Sequence, residues 1–355
     1  MTNNFSRTAT TADLATLGVT PTENSTLEVR FVGDPDYKTP ESYQASFAIE
    51  QNLGAGFSFE ASYLYNRGIY LTRNRDQNQF RRTGAINPLN PNGGATFVRA
   101  FQGRDDFINP LRFQDNIYES SASSFYNGAT FTLRRRFTQG VSVLAHYTFS
   151  KAIDEVTDFN SDFSAQNPLD LRADRGLSSF DQRHRVVLSG VFQIPRFGES
   201  AVSNVFKDFI VAPIVTYGSG RPFNLLLGFD GNNDGRSQSD RPGTLGRNTG
   251  KGEKLITFDA RLSRRISFTE RSNVELIFEG FNLLNRTNFQ GINNTIGSPL
   301  LNAQGVTASG LTAEQINVVL NGQARGNRNA SPTTPLGFTS AGNARSFQLG
   351  ARFNF

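Results

Sequence analysis

The chain has 355 residues, enough for one large or two medium domains, and no cysteine, which excludes a disulfide framework, a zinc–thiolate site and a cysteine nucleophile. The formal charge is +5 and the 36 Lys and Arg are spread along the chain, so the clustered basic patch of a nucleic-acid partner is not expected. Hydrophobic residues make up 37%, and no run approaches the roughly 18 apolar residues of a membrane helix; strands that alternate apolar and polar residues are not excluded, because their averages look soluble.

Residues 1–24 contain no charged region followed by an apolar core, do not read as a secretory leader, and are expected to be poorly structured. STLEVRFV at 25–32 is a weak first strand. YQASFAIEQNL and FSFEASYLYN follow, joined by the turn LGAG at 53–56. After a long loop at 67–123 come FYNGATFTLRRRF and VSVLAHYTFSK, joined by TQG at 138–140. A second loop, 152–181, leads to RHRVVLSGVFQI, a linker at 195–206 and the run KDFIVAPIVTYG. A third loop, 219–253, precedes KLITFDARLSRRI, the turn FTER at 268–271 and SNVELIFEGFNLLN. No stretch forms a convincing amphipathic helix; the best candidate, LTAEQINVVLNG at 311–322, lies inside a fourth loop, 286–343, and the chain closes on a strand at 344–355.

The strands share a period of two. Val141, Val143, Ala145, Tyr147 and Phe149 form one face; so do Val186, Leu188, Gly190, Phe192 and Ile194, and Val274, Leu276, Phe278 and Gly280. Connections alternate short and long, and all four long loops exceed the 12–15 residues usual in compact domains. A transmembrane barrel keeps short periplasmic turns at one end and long external loops at the other. The expected fold is therefore all-β: residues 25–355 as an antiparallel transmembrane β-barrel, about ten strands of a larger barrel, with Phe355 on the periplasmic side.

The stretches HYTFSKAIDE, QNPLDLRADRGLSSFDQRHRVVLSGVFQIP, IVTYGSGRPFN, EGFNLLNRTNF and the terminal strand cover most of 120–355. They resemble the β-barrel of Oar-like TonB-dependent receptors of the bacterial outer membrane. The resemblance implies a channel wall for an unknown solute, surrounded by outer-membrane lipid. It also implies that Gln348, Gly350, Phe353 and Phe355 form the terminal targeting strand read by the outer-membrane assembly machinery. Such receptors also carry a signal peptide, a plug and about 22 strands. On that pattern the chain is expected to be a C-terminal fragment, to meet TonB only through a plug segment it does not show, and not to transport alone.

Asp259, Arg261, Glu275 and Glu279 fall on the polar faces of neighbouring strands and are expected to form a lumen-facing polar network. Asp230, Asn232, Asp234 and Gly235 match the first half of a calcium loop, D-x-N-x-D-G, but Arg241 stands at the twelfth position where a bidentate acid belongs. A Gly/Asn/Asp-rich turn accounts for the same residues, and a Ca²⁺ held there would order an external loop. His146 falls on the polar face and His184 on the apolar one, with no carboxylate or hydroxyl cluster beside them, so no enzyme is expected. The competing expectation is a soluble β-sandwich or adhesin-like module that binds through its long loops.

Overall fold

A computed structural model describes residues 28–78, 112–158, 165–167, 170–195, 208–229, 238–242, 245–269, 272–297 and 311–355. The strands are β1 (Glu28–Gly33), β2 (Glu41–Gly54), β3 (Phe57–Asp76), β4 (Arg112–Thr138), β5 (Val141–Asp154), β6 (Gly176–Leu177), β7 (His184–Gln193), β8 (Phe209–Gly218), β9 (Pro222–Phe223), β10 (Gly250–Lys251), β11 (Leu255–Ser267), β12 (Asn273–Phe281), β13 (Phe289–Ile292), β14 (Phe338–Ala341) and β15 (Ser346–Asn354). Among the described residues one α-helix, α1 (Ala313–Leu320), sits between β13 and β14, and a short 3-10 turn, Leu171–Asp174, precedes β6.

A single 11-stranded sheet runs in the order β15-β12-β11-β8-β7-β5-β4-β3-β2, with β1 and β6 attached at its side. Every neighbouring pair on that path is antiparallel. Two steps of this meander are tight two-residue hairpins. Ala55–Gly56 (φ 49° and 80°) and Gln139–Gly140 (φ 52° and 77°) have positive φ at both central residues, as primed two-residue hairpins require. One ladder is broken for a local reason: β7 and β8 pair at Ser189↔Ile214 and again at Phe192↔Val211, and Pro213, between them, has no N–H to offer.

On one face the pairing register sets large apolar residues opposite one another. Leu262 lies across from Phe278, and Phe278 from Leu349. Phe131 lies across from Tyr147, and Tyr147 from Val186. Stacked rings cross four strands on this face: Phe59–Phe131 (6.4 Å), Phe131–Tyr147 (6.2 Å) and Tyr147–His184 (6.2 Å). These side chains are not covered: Tyr63 is 46% exposed, Phe278 41% and Leu349 81%. Among the described residues the buried apolar side chains lie in the loops and at the loop end of β4. A water-soluble sandwich would bury the apolar face of one sheet against another; here one continuous sheet presents it outward, so the soluble-module expectation is not met.

Four expectations need correction. Residues 67–76 and 112–123 are strand, not loop: β3 has 20 residues and β4 has 27, well beyond the roughly ten that span a bilayer. Past a register break at 68–73, where Tyr70 has φ 55°, the hairpin continues with Arg73, Asn74, Asp76, Asn116 and Glu119 buried. The weak first strand is not antiparallel. β1 lies parallel to β4, anchored by two hydrogen bonds of 2.7 Å from Arg30 to Asp115, and residues 34–38 cross the β3–β4 hairpin to reach β2. The segment 286–343 is not a plain loop either. It contributes β13, α1 and β14, and Ile296, Leu311, Ile316, Val319 and Leu336 pack with Leu225 from the preceding loop into a buried apolar cluster. Finally, loop 152–181 begins three residues later at its strand side, because β5 extends to Asp154 and pairs there with β6. Residues 1–24 and 196–206 lie outside the described residues.

Candidate functional site

The polar face of β11, β12 and β15 carries a ladder of opposite charges. Alternation puts Arg261, Glu275, Glu279 and Arg352 on that face, and the register sets Arg261 against Glu279 and Glu275 against Arg352. Arg261 approaches Glu275 at 3.7 Å and Glu279 at 4.0 Å, and Arg352 approaches Glu275 at 3.8 Å. At these separations, with Arg261 and Arg352 well exposed, the pairs shape the potential of the surface more than they stabilise it. Asp259 does not join them. Its carboxylate accepts the backbone N–H of Asn282 at 2.7 Å and closes the turn after β12, where Asn282 has φ 49°.

A second charge cluster ties the loops together beyond the ends of β5 and β7. Arg247 donates to the Asp174 carbonyl (2.8 Å), the Thr157 hydroxyl (3.0 Å), the Asp154 carbonyl (2.7 Å) and the Asp154 carboxylate. Arg241 donates to the Asp174 carboxylate (2.6 Å) and the Leu245 carbonyl (3.0 Å). Asp181 accepts the Ala152 N–H (2.7 Å) and pairs with Arg183 (3.3 Å). Burial, helped by the like charge of Arg73, pushes the Arg247 guanidinium down to about 10. Beside this cluster Glu253 bridges Arg286 and Arg328, each at 3.2 Å. Its partial burial raises its carboxyl, but the Arg328 hydrogen bond and charge, the Lys254 N–H and Arg286 outweigh that and leave it below the ordinary value.

None of Arg241, Arg247, Asp154 and Asp174 stands out in the sequence. Arg241, Arg247 and Asp174 sit in non-periodic segments and Asp154 at the very end of β5, and the partners in the Asp154–Arg247 pair are 93 residues apart. Arg241 was notable only as the misfit at the twelfth position of the calcium-loop pattern, and its side chain is committed to Asp174. Asp230, Asn232 and Asp234 lie outside the described residues.

Gln348 lies on the polar face opposite Glu279, Gly350 opposite Ile277, and Phe353 on the apolar face opposite Val274. Phe355 is almost fully exposed. The far edge of β15 has no partner among the described residues. His146 accepts or donates at the Thr132 hydroxyl (2.9 Å) on the polar face, and His184 meets the Tyr147 hydroxyl (2.9 Å) on the apolar face.

A family model described as outer membrane beta barrel domain matches residues 1–243 and 239–316. Among solved structures the chain is similar to the outer membrane transporter YddB from Escherichia coli, at 11% identity over 71% of this chain and 30% of that one, with a TM-score of 0.44. It is also similar to the FrpB iron transporter from Neisseria meningitidis, at 12% identity over 76% of this chain and 31% of that one (TM-score 0.42). A third is P. aeruginosa FpvA in complex with heterologous pyoverdines, at 11% identity over 89% and 27% (TM-score 0.40). The chain thus spans less than a third of each of these proteins. No curated protein matches it.

Proposed function

We propose that this chain, which belongs to the outer membrane beta barrel domain family and so to the bacterial outer membrane, forms part of the wall of a TonB-dependent receptor of the Oar-like type. Its sheet lines a solute path with the polar face of β11, β12 and β15 and meets lipid with the other face. The observation that carries this reading is the register. It gathers the aromatic rings and many large aliphatic side chains of these strands (Phe131, Tyr147, Leu262, Leu276, Phe278, Phe347, Leu349 and Phe353) in one exposed layer and brings Arg261, Glu275, Glu279 and Arg352 together on the opposite side. In hydrocarbon that is the favourable arrangement, since backbone groups are satisfied between strands and apolar side chains face the lipid.

The TonB and Oar-like parts of the reading rest on the sequence stretches between 146 and 289, several of which form the loop-end structure. QNPLDLRADRGLSSFDQRHR supplies Asp174, Asp181 and Arg183, and IVTYGSGRPFN supplies the close-packed turn after β8. The reading gives the chain no catalytic role. His146 and His184 occupy opposite faces of the sheet, each bonded to a single hydroxyl.

The test is genetic and physical. In the producing bacterium, deleting this gene and deleting TonB should change uptake or release of the same solute, and the protein should fractionate with the outer membrane. A solute flux that depends on this gene but is indifferent to TonB would overturn the receptor reading while leaving the channel intact. Recovery of the folded protein in the soluble fraction would sink both.

A further inference from the structure

Between the loop ends of β7, β8 and β11 lies a cavity of about 1010 Å³, floored by the chain after α1. Six cations line it: Arg175, Arg183, Arg247, Lys251, Lys254 and Arg325. Two carboxylates line it as well, Asp181 and Glu253, and both are engaged. Asp181 holds Arg183 and the Ala152 N–H, and Glu253 holds Arg286 and Arg328, which do not line the cavity. Arg247 is consumed by Asp154. That leaves Lys251, Lys254 and Arg325 with no carboxylate partner among the described residues, and Arg175 with only the ring of Phe125 beneath it (5.4 Å). Four like charges thus converge on one concave space whose own acids are already used. Such a set repels itself when empty and is relieved by an anion. Glycines at 220, 250, 252 and 322 bring bare backbone to the same wall.

We propose that this cavity is a binding site for a multiply charged anionic solute bearing phosphate or carboxylate groups. Its volume suits a ligand with several charged groups rather than a single inorganic ion. Arg325 offers a planar fork to a phosphate or carboxylate, and Lys251 and Lys254 add point charges. The same chemistry is found on free polyanions and on the phosphorylated headgroups of outer-leaflet lipid. The inference rests on the channel reading only for the side of the membrane on which the loops lie.

The experiment is calorimetric titration of the full, folded chain in neutral detergent with inorganic pyrophosphate and with citrate. The comparison is with a Lys251→Gln/Lys254→Gln/Arg325→Gln variant and with Arg352→Gln as a control on the polar face. Expected is saturable binding that weakens at least tenfold in the triple variant, is unchanged in Arg352→Gln, and falls steeply with salt. Vesicles with and without lipopolysaccharide identify the source: binding to both soluble probes supports a free solute, and binding only to lipopolysaccharide vesicles supports a headgroup. All three replaced residues are exposed, so folding should survive; the single variant Lys254→Glu provides a second, lighter perturbation with the same expected direction. Absence of binding to every probe, or binding that the triple variant and Lys254→Glu leave intact, overturns the proposal. Because no flux is measured, a channel that fails to transport can still pass this test, and a transporting channel can fail it.

Discussion

Gly220 lies just past the end of β8 and Gly350 at the middle of β15, and the structure needs only the first of them to be glycine. A Cβ on Gly220 would collide with the carbonyl oxygen of Gly252 and crowd the backbone of Glu253, neither of which can rotate away. Gly220→Ala should therefore prise the turn after β8 from the segment before β11, at a cost of about 1–3 kcal/mol, visible as faster proteolysis of the loops. A Cβ on Gly350 would meet only Ile277 at an ordinary 3.7 Å, and its φ is not positive. Gly350→Ala should leave the melting temperature within error, the shift corresponding to less than about 0.5 kcal/mol. If the terminal strand is read during assembly, the same variant should nevertheless accumulate less in the outer membrane; a large loss of thermal stability would show instead that the glycine serves the fold. The buried Asp154–Arg247 pair is a third residue-scale case. Arg247 and Asp154 side chains are only 8% and 12% exposed, so Asp154→Ala strands a buried guanidinium and should cost about 3–5 kcal/mol of local stability, read by hydrogen exchange in 152–177 and 245–250. Replacing both residues with apolar ones should cost much less.

At the scale of elements, what can be read from the sequence depends on whether a segment has two different environments. β5, β7, β11, β12 and β15 alternate visibly because one face meets lipid and the other does not. The outer halves of β3 and β4 have no such contrast: Arg73, Asn74 and Asp76 are all buried, whichever face they take, so the period vanishes while the strand continues. β1 could not be oriented from six residues, since parallel and antiparallel ladders use the same side-chain alternation. α1 was only weakly legible, since 311–322 is the best helical candidate but carries no convincing amphipathic pattern; it is held by a Thr312–Gln315 capping box and by Ile316 and Val319 in the apolar cluster. The partners of that cluster, such as Leu225, come from a different loop, and nothing local announces them. The loop pack also carries a pH dependence. Glu253 has a lowered carboxyl in the folded chain, so its bridge to Arg286 and Arg328 stabilises fully above the ordinary glutamate value of 4.5 and is lost as pH falls through the lower folded value. Glu253→Gln should flatten the decline in thermal stability below that pH relative to the parent, with little difference in slope near neutrality. Parallel slopes across the acid range would show that the bridge contributes nothing.

For the whole molecule the deciding quantity is parity. Nine strands lie on the continuous path from β15 to β2, linked by eight antiparallel steps, so the two edge strands point the same way. Joining β2 directly to β15 would make a parallel seam. So would a ring of two copies related by rotation about the barrel axis. Neither edge can remain open in hydrocarbon, where its N–H and C=O groups would have no partner. An all-antiparallel closed wall therefore takes an odd number of strands beyond these nine, which also yields the even total of bacterial barrels. The chain has no native cysteine, so the seam can be tested cleanly with Gln44→Cys on β2 and Gln348→Cys on β15, both on the polar face. In outer membranes under oxidising conditions, these two should fail to form an intramolecular disulfide, and each should cross-link instead to cysteines introduced on strands outside the path. Efficient joining of residue 44 to residue 348 within one chain would mean that the nine strands close on themselves through a parallel seam, and the narrow pore that results would have to be the solute path.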